Sequence, residues 1–196
     1  MPPLTFVFIG RSGCGKGTQA DLLQKKIKEK DSENEILYLE TGARFRDFLR
    51  QDGYSNKLSL DVYETGERQP DFLAIWMWAN ILIDSVKENN HILFDGITRS
   101  LPEAMTFSTS MEFYNRKPYI VYLNVSREWS EERLILRGRS DDIQPEQIKN
   151  RLDWFERDTL PAIDYFKSNK LYNFLDIDGE QPIEKVHQDI LDKLEW

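Results

Sequence analysis

Cysteine occurs once and histidine twice in the 196 residues, and both scarcities exclude chemistry. A lone thiol, Cys14, has no partner for an internal disulfide and suits a reducing compartment, so a cytoplasmic location is expected. With only His91 and His187 beside it, a zinc site built from cysteine and histidine has no ligand set. Histidine acid–base catalysis is equally undersupplied, and both histidines read as surface or packing residues. Positive charge is short as well: 26 Lys and Arg against 34 Asp and Glu leave a formal net charge of -8 at pH 7. That balance argues against a general nucleic-acid binder or a protein of anionic membrane surfaces. Any phosphate ligand must therefore meet a local cluster of basic side chains. Long hydrophobic runs are missing too. Met1-Pro2-Pro3-Leu4 leads into an apolar run of about seven residues, which lacks a basic flank and is too short for a signal helix or a membrane span. No repeat, low-complexity tract or long linker interrupts the chain.

What is present is ordinary globular composition, 40% hydrophobic and 31% charged, at a length suited to one α/β domain. Short apolar runs alternate with longer amphipathic stretches. The runs 5–9, 36–39, 91–94, 119–125 and 171–175 are apolar on both faces, as parallel strands covered by helices should be. Between them, 71–88 places Phe72, Ile75, Trp76, Ala79, Ile83 and Val86 at helical spacing, which predicts a core-facing stripe. A second helical pattern, 145–168, carries Ile148, Leu152 and Phe155, with Pro161 expected to kink it. A third begins at Ile183 and carries Val186, Ile190 and Leu194. The alternation predicts a doubly wound five-stranded parallel sheet with helices on both faces.

Gly10-Arg11-Ser12-Gly13-Cys14-Gly15-Lys16-Gly17-Thr18 follows the first strand and opens a helix. Glycines let backbone N–H groups close around an anion, and the helix N-terminus adds its dipole. Lys16 can then reach the β- and γ-phosphates as a point charge. The spacing G-x4-G-K is complete and the strand–loop–helix context is right for a P-loop. Gly17 takes the usual Ser/Thr position, and the hydroxyl follows one residue later at Thr18.

The form G-K-G-T-Q at 15–19 resembles adenylate kinases and their nucleoside monophosphate kinase relatives, and the similarity continues over nearly the whole chain. Thr41-Gly42-Ala43-Arg44-Phe45-Arg46 resembles the family's T-G-x3-R segment, and 66–71 the turn whose backbone lies against the acceptor base. Asp95-Gly96-Ile97-Thr98-Arg99 resembles D-G-F-P-R, with Ile97-Thr98 replacing the family's Phe-Pro. The arginine-bearing segment 132–142, followed by Asn150-Arg151-Leu152, resembles a short lid, and 178–182 the turn against the ATP adenine.

The resemblance implies a P-loop kinase domain over 1–196, with a small monophosphate-binding insertion at about 41–70 and a lid at about 137–143. It implies an ATP-dependent enzyme that moves the γ-phosphoryl group to a nucleoside monophosphate, with Mg2+ as cofactor, no zinc, and a monomeric state. ATP contacts fall to Gly13, Cys14, Gly15, Lys16, Gly17, Thr18, Arg133, Gly179 and Gln181. Monophosphate contacts fall to Thr41, Gly42, Arg46, Gln69, Gly96, Arg99, Glu103, Arg139 and Arg151. Lys16, Arg99, Arg133, Arg137, Arg139 and Arg151 form the catalytic set, and Thr18 and Asp95 hold magnesium through water. Cys14 reads either as a thiol sensitised by the phosphate site or as a buried inert one.

The acceptor base stays open. In adenylate kinases a glutamine four residues after the D-G-F-P-R arginine reads the adenine edge; here that position is Glu103. A carboxylate accepts but does not donate unless protonated, which suits the N1–H and 2-amino group of guanine better than the N1 lone pair of adenine. Alternatively Glu103 points to solvent and Gln69 or backbone groups read the base. AMP is the first expectation, another monophosphate such as GMP the second, and a non-catalytic nucleotide-binding protein the third.

Overall fold

The computed structural model describes residues 1–138 and 144–196. Strands β1 (Thr5–Gly10), β2 (Ile36–Glu40), β3 (His91–Asp95), β4 (Tyr119–Asn124) and β5 (Asn173–Asp178) form one sheet in the order β2-β3-β1-β4-β5. Every pairing is parallel, with Phe6 opposite Leu93 on one side and Tyr119 on the other. The expected doubly wound five-stranded sheet is what the chain forms.

Strand alternation divides the core. Val7, Ile9, Ile92, Phe94, Ile120 and Tyr122 face one cluster, built with α4 (Asp71–Ser85), α5 (Leu101–Phe113) and α8 (Leu160–Ser168). Phe6, Phe8, Leu93, Val121 and Leu123 face the other, against α1 (Lys16–Lys30) and α9 (Ile183–Lys193). The remaining helices, α2 (Thr41–Leu49), α3 (Tyr54–Glu64), α6 (Arg127–Arg137) and α7 (Pro145–Trp154), gather at the carboxyl ends of the strands. A parallel sheet covered on both faces explains why its strands read as unbroken apolar runs.

The structure corrects several sequence expectations. The stripe predicted to face the core from α4 does so only in part: Ile75, Ala79 and Val86 pack against it, but Phe72, Trp76 and Ile83 are exposed, while Leu73, Met77, Trp78, Ile81 and Leu82 are buried. The helix is apolar on most of its circumference, so periodicity alone could not choose the buried face. It also stops at Ser85 rather than 88, because Val86 turns extended and the Asn90 side chain accepts the Lys87 N–H. The last strand begins at Asn173, since Leu171 and Tyr172 belong to a turn bonded back to Asn169. Around Pro161 the chain continues through a π-helical segment, Phe155–Thr159, before α8. Proline lacks the N–H that an α-helical ladder needs, and a widened turn just before it accommodates the loss. Ile148, Leu152 and Phe155 are buried as the spacing predicted.

Candidate active site

The first βα turn makes the anion cradle. Gly13 and Gly15 both have φ in the left-handed region, +85° and +93°, so the backbone folds back on itself where α1 begins. Lys16 Nζ donates to the Gly10 and Arg11 carbonyls, each at 2.9 Å, so the ammonium lies along the loop. Arg11 fastens the outside of the turn: Nε donates to Val125 O, and its guanidinium pairs with Glu156 and covers the Phe155 ring.

From the cradle a cleft of about 570 Å³ extends toward α2 and α3. Gly13, Gly15, Lys16, Gly17 and Thr18 line it, with Thr41, Gly42, Arg46, Gln69, Asp95, Gly96, Arg99, Glu103, Arg137 and Arg151. Most residues expected from the sequence thus meet in one cavity. Cys14 is buried behind the loop. Arg133 does not line the cleft; its guanidinium covers the Trp129 ring at 4.7 Å. Gly179 and Gln181 lie at the carboxyl end of β5 outside it, Gly179 donating to Asn124 O and Gln181 to Asp178 O. Arg139 lies outside the described residues, as does most of the expected lid at 137–143.

Each polar side chain has a local cause for its position. Asp95 ends β3 beside the loop, where Tyr38 OH donates to Oδ2 at 3.2 Å and a Cβ on Gly17 would stand 3.4 Å from that oxygen. Burial pushes the Asp95 carboxyl up, opposed by the charges of Lys16 and Arg99. Thr41 starts α2 and donates to the Gly96 carbonyl at 2.9 Å, tying the α2 side of the cleft to the β3 turn. Arg46, one turn further on, pairs with Glu40 at 3.2 Å. Arg99 Nε donates to Gly96 O at 2.7 Å, and its guanidinium lies 5.6 Å from the Trp154 ring centre. Burial lowers the Arg99 pKa, Glu103 and Asp95 hold it up, and Arg151 and Arg68 add to the lowering. Arg99, Arg151 and Arg68 thus gather positive charge at one wall of the cleft, which suits an anionic ligand.

A magnesium ion fits these residues. A hard carboxylate at a strand tip, lining the same cleft as the phosphate loop and Thr18, suits Mg2+ when water and phosphate oxygens complete its shell. No group of three or more His, Cys, Asp or Glu suited to a metal occurs among the described residues.

The base-reading expectations fare differently. Gln69 turns its amide onto Ser59, accepting from Oγ at 2.7 Å and donating to the carbonyl at 2.9 Å. Glu103 is buried rather than solvent-facing, and both carboxylate oxygens accept internal hydrogen bonds, Oε1 from Trp78 Nε1 and Oε2 from Arg99 N. Sequence reasoning missed Tyr38, Phe45, Tyr63, Arg68 and Trp154, which also line the cleft. Arg68 pairs with Asp71 and Asp158. Its place beside Gln69 in the 66–71 turn was the available signal; Trp154 gave none, because only packing brings α7 to the cleft.

No helix among the described residues is long and apolar enough to cross a membrane. The adenylate kinase family model matches residues 8–171. The chain is 31% identical to an adenylate kinase of Prochlorococcus marinus (strain MIT 9301) over 189 residues, 96% of this chain and 97% of that protein. It is 33% identical to the adenylate kinase of strain MIT 9515 over the same proportions. A third relative, the adenylate kinase of Flavobacterium psychrophilum, is 30% identical over 97% of this chain and 100% of its own length. With a cleft of this build and a match over most of its length, the chain belongs to the adenylate kinase family.

Proposed function

We propose that this protein transfers the γ-phosphoryl group of Mg-ATP to AMP, giving two molecules of ADP. One observation carries the reading: the phosphate loop and the arginines Arg46, Arg99, Arg137 and Arg151 line a single cleft. Phosphoryl transfer asks little covalent chemistry of a protein, and positioning with charge stabilisation supplies most of the acceleration. Lys16 and the loop N–H groups hold the donor phosphates. Arg46 and Arg99, on the Thr41 and Gly96 side, grip the acceptor phosphate, whose own oxygen is the nucleophile. Arg137 and Arg151, with Arg139, neutralise the oxygens of the transferring group. Thr18 and Asp95 would hold Mg2+, which when bound offsets charge on the nucleotide phosphates. Closure over the cleft excludes water, which would otherwise compete with the acceptor. The protein acts as a monomer in the cytoplasm, without nucleic acid or membrane.

AMP ranks first because the carboxylate that would favour guanine has both oxygens engaged inside the protein. The test is ADP formation from Mg-ATP with AMP, GMP, CMP, UMP and dTMP offered separately. Turnover with AMP far above the rest is expected. Preference for GMP would move the substrate assignment, and no turnover with any acceptor would overturn the enzymatic reading.

A further inference from the structure

The turn that presents Arg99 is strained and unusually well held. Gly96 has φ +81°, and Thr98, buried and β-branched, has φ +57°. A β-branched residue in the left-handed region is a real outlier and persists only where its surroundings over-determine it. No cis peptide bond occurs among the described residues, so the turn is built from trans peptides, with Thr98 in the position of the family's proline. Three side chains from three elements hold the turn. Thr41 Oγ1 donates to Gly96 O, Thr159 Oγ1 of the π-helical segment donates to Arg99 O at 2.9 Å, and Glu103 Oε2 accepts the Arg99 N–H at 2.7 Å.

Glu103 is the member whose chemistry is decided by its other partner. Ser100 caps α5 and accepts the Glu103 N–H, which puts Glu103 where a capping-box glutamate stands. Its carboxylate reaches back one residue further than such a cap, to Arg99, while Oε1 accepts from the indole N–H of fully buried Trp78 at 3.1 Å. Two donors therefore arrive at two different oxygens, and the Thr98 backbone N–H adds a third to the same carboxylate. A carboxylate satisfies them all; an amide must turn its NH2 toward one of them and leave a buried donor facing a donor.

We infer that Glu103 is a positioning residue, which with Thr159 clamps the backbone of Arg99 from both sides so that its guanidinium addresses the acceptor phosphate. The glutamate does not read the base; the glutamine that does so in the resembling family is here exchanged for a group that braces the arginine. The inference rests on the proposed role of Arg99.

The test is a double-mutant cycle on the full chain, with kcat and KM measured for AMP and for GMP. Glu103→Gln is expected to lower kcat/KM for AMP about tenfold, leave KM for ATP unchanged, and leave the AMP-to-GMP preference within about threefold of the starting protein. In an Arg99→Ala background the same substitution should have almost no further effect. A tenfold or larger change in base preference would overturn the inference, as would an undiminished effect in the Arg99→Ala background. Thr159→Val removes the second clamp without touching the base wall, and should show the same coupling to Arg99; additivity there would equally overturn it, and it serves should Glu103→Gln fail to fold. Near-normal turnover of Arg99→Ala alone would instead sink the role of Arg99 itself.

Discussion

At the scale of single residues, the cleft concentrates positive charge beside its phosphate loop. Arg99 lines the cleft half-buried, its pKa lowered by desolvation and by Arg151 and Arg68 nearby, with Glu103 and Asp95 opposing. Arg99→Ala should therefore lower kcat/KM for the acceptor on the order of 10²-fold or more, by the usual cost of removing a preorganised donor. Steady-state kinetics checks this. Cys14 shows the opposite outcome for a group within the phosphate loop. Burial pushes its thiol up, and the opposing charge of Lys16, whose Nζ lies 3.6 Å from Sγ, does not reverse that. Of the two sequence readings, the buried inert thiol is the one this environment favours. The folded protein should resist a thiol reagent at neutral pH with or without ATP, and label only on denaturation; rapid labelling of the native state would contradict this.

Between elements, the connection that matters joins α7 to the end of α3. A helix leaves its last carbonyls without internal partners. Here the side chains of Gln147, Asn150 and Trp154, on one face of α7, donate to the carbonyls of Glu64, Thr65 and Gly66 in turn. Gly66 is the close approach: its φ is +75°, and a Cβ there would stand 2.7 Å from Gln147 Cα. Gly66→Ala should cost about 2 kcal/mol and lower Tm by about 4–8 °C, since backbone strain and a backbone clash add. A thermal melt unchanged within a degree or so would refute the account. The same stitching carries Trp154 to the cleft wall, under the Arg99 guanidinium.

Over the whole molecule, the sheet separates two ends. The carboxyl ends of its strands hold the cleft; the amino end of β3 holds a second polar centre with no role in it. His91 is fully buried, accepts the Leu4 N–H at Nδ1, and shares Nε2 with Asp31. Burial lowers the His91 pKa although Asp31 opposes it, with the N-terminal amine and Arg116 adding to the lowering. Asp31 is held well below the usual carboxylate range by Asn34, the N-terminal amine and His91. For both groups the folded pKa lies below the unfolded one, so the unfolded chain binds more protons as pH falls. Their stabilisation is present at pH 7, begins to be lost for His91 below about 6.5, and for Asp31 below about 4. Tm should fall between pH 7 and 5.5, and less steeply in His91→Asn, whose amide oxygen can keep the Leu4 contact. An equal slope in both proteins would refute the assignment.

The sequence by itself determined what depends on local backbone chemistry and strict spacing. Glycines around Lys16, a strand before them and a helix after, require an anion cradle; apolar runs with no polar face require a covered parallel sheet. Thr41, Arg46, Asp95 and Arg99 were legible because each stands in a segment that resembles a family motif, T-G-x3-R or D-G-F-P-R. Tertiary structure alone decided the rest. Which side of an all-round apolar helix is buried depends on what packs against it, and α4 turned Trp78 inward and Trp76 outward. The orientation of Glu103 depends on Trp78, 25 residues away, and on the turn it braces. Trp154 and Arg68 reach the cleft only because α7 docks on the end of α3. A hydrogen bond between distant residues leaves no period in a sequence, so it is settled only when the elements that carry its two ends are packed.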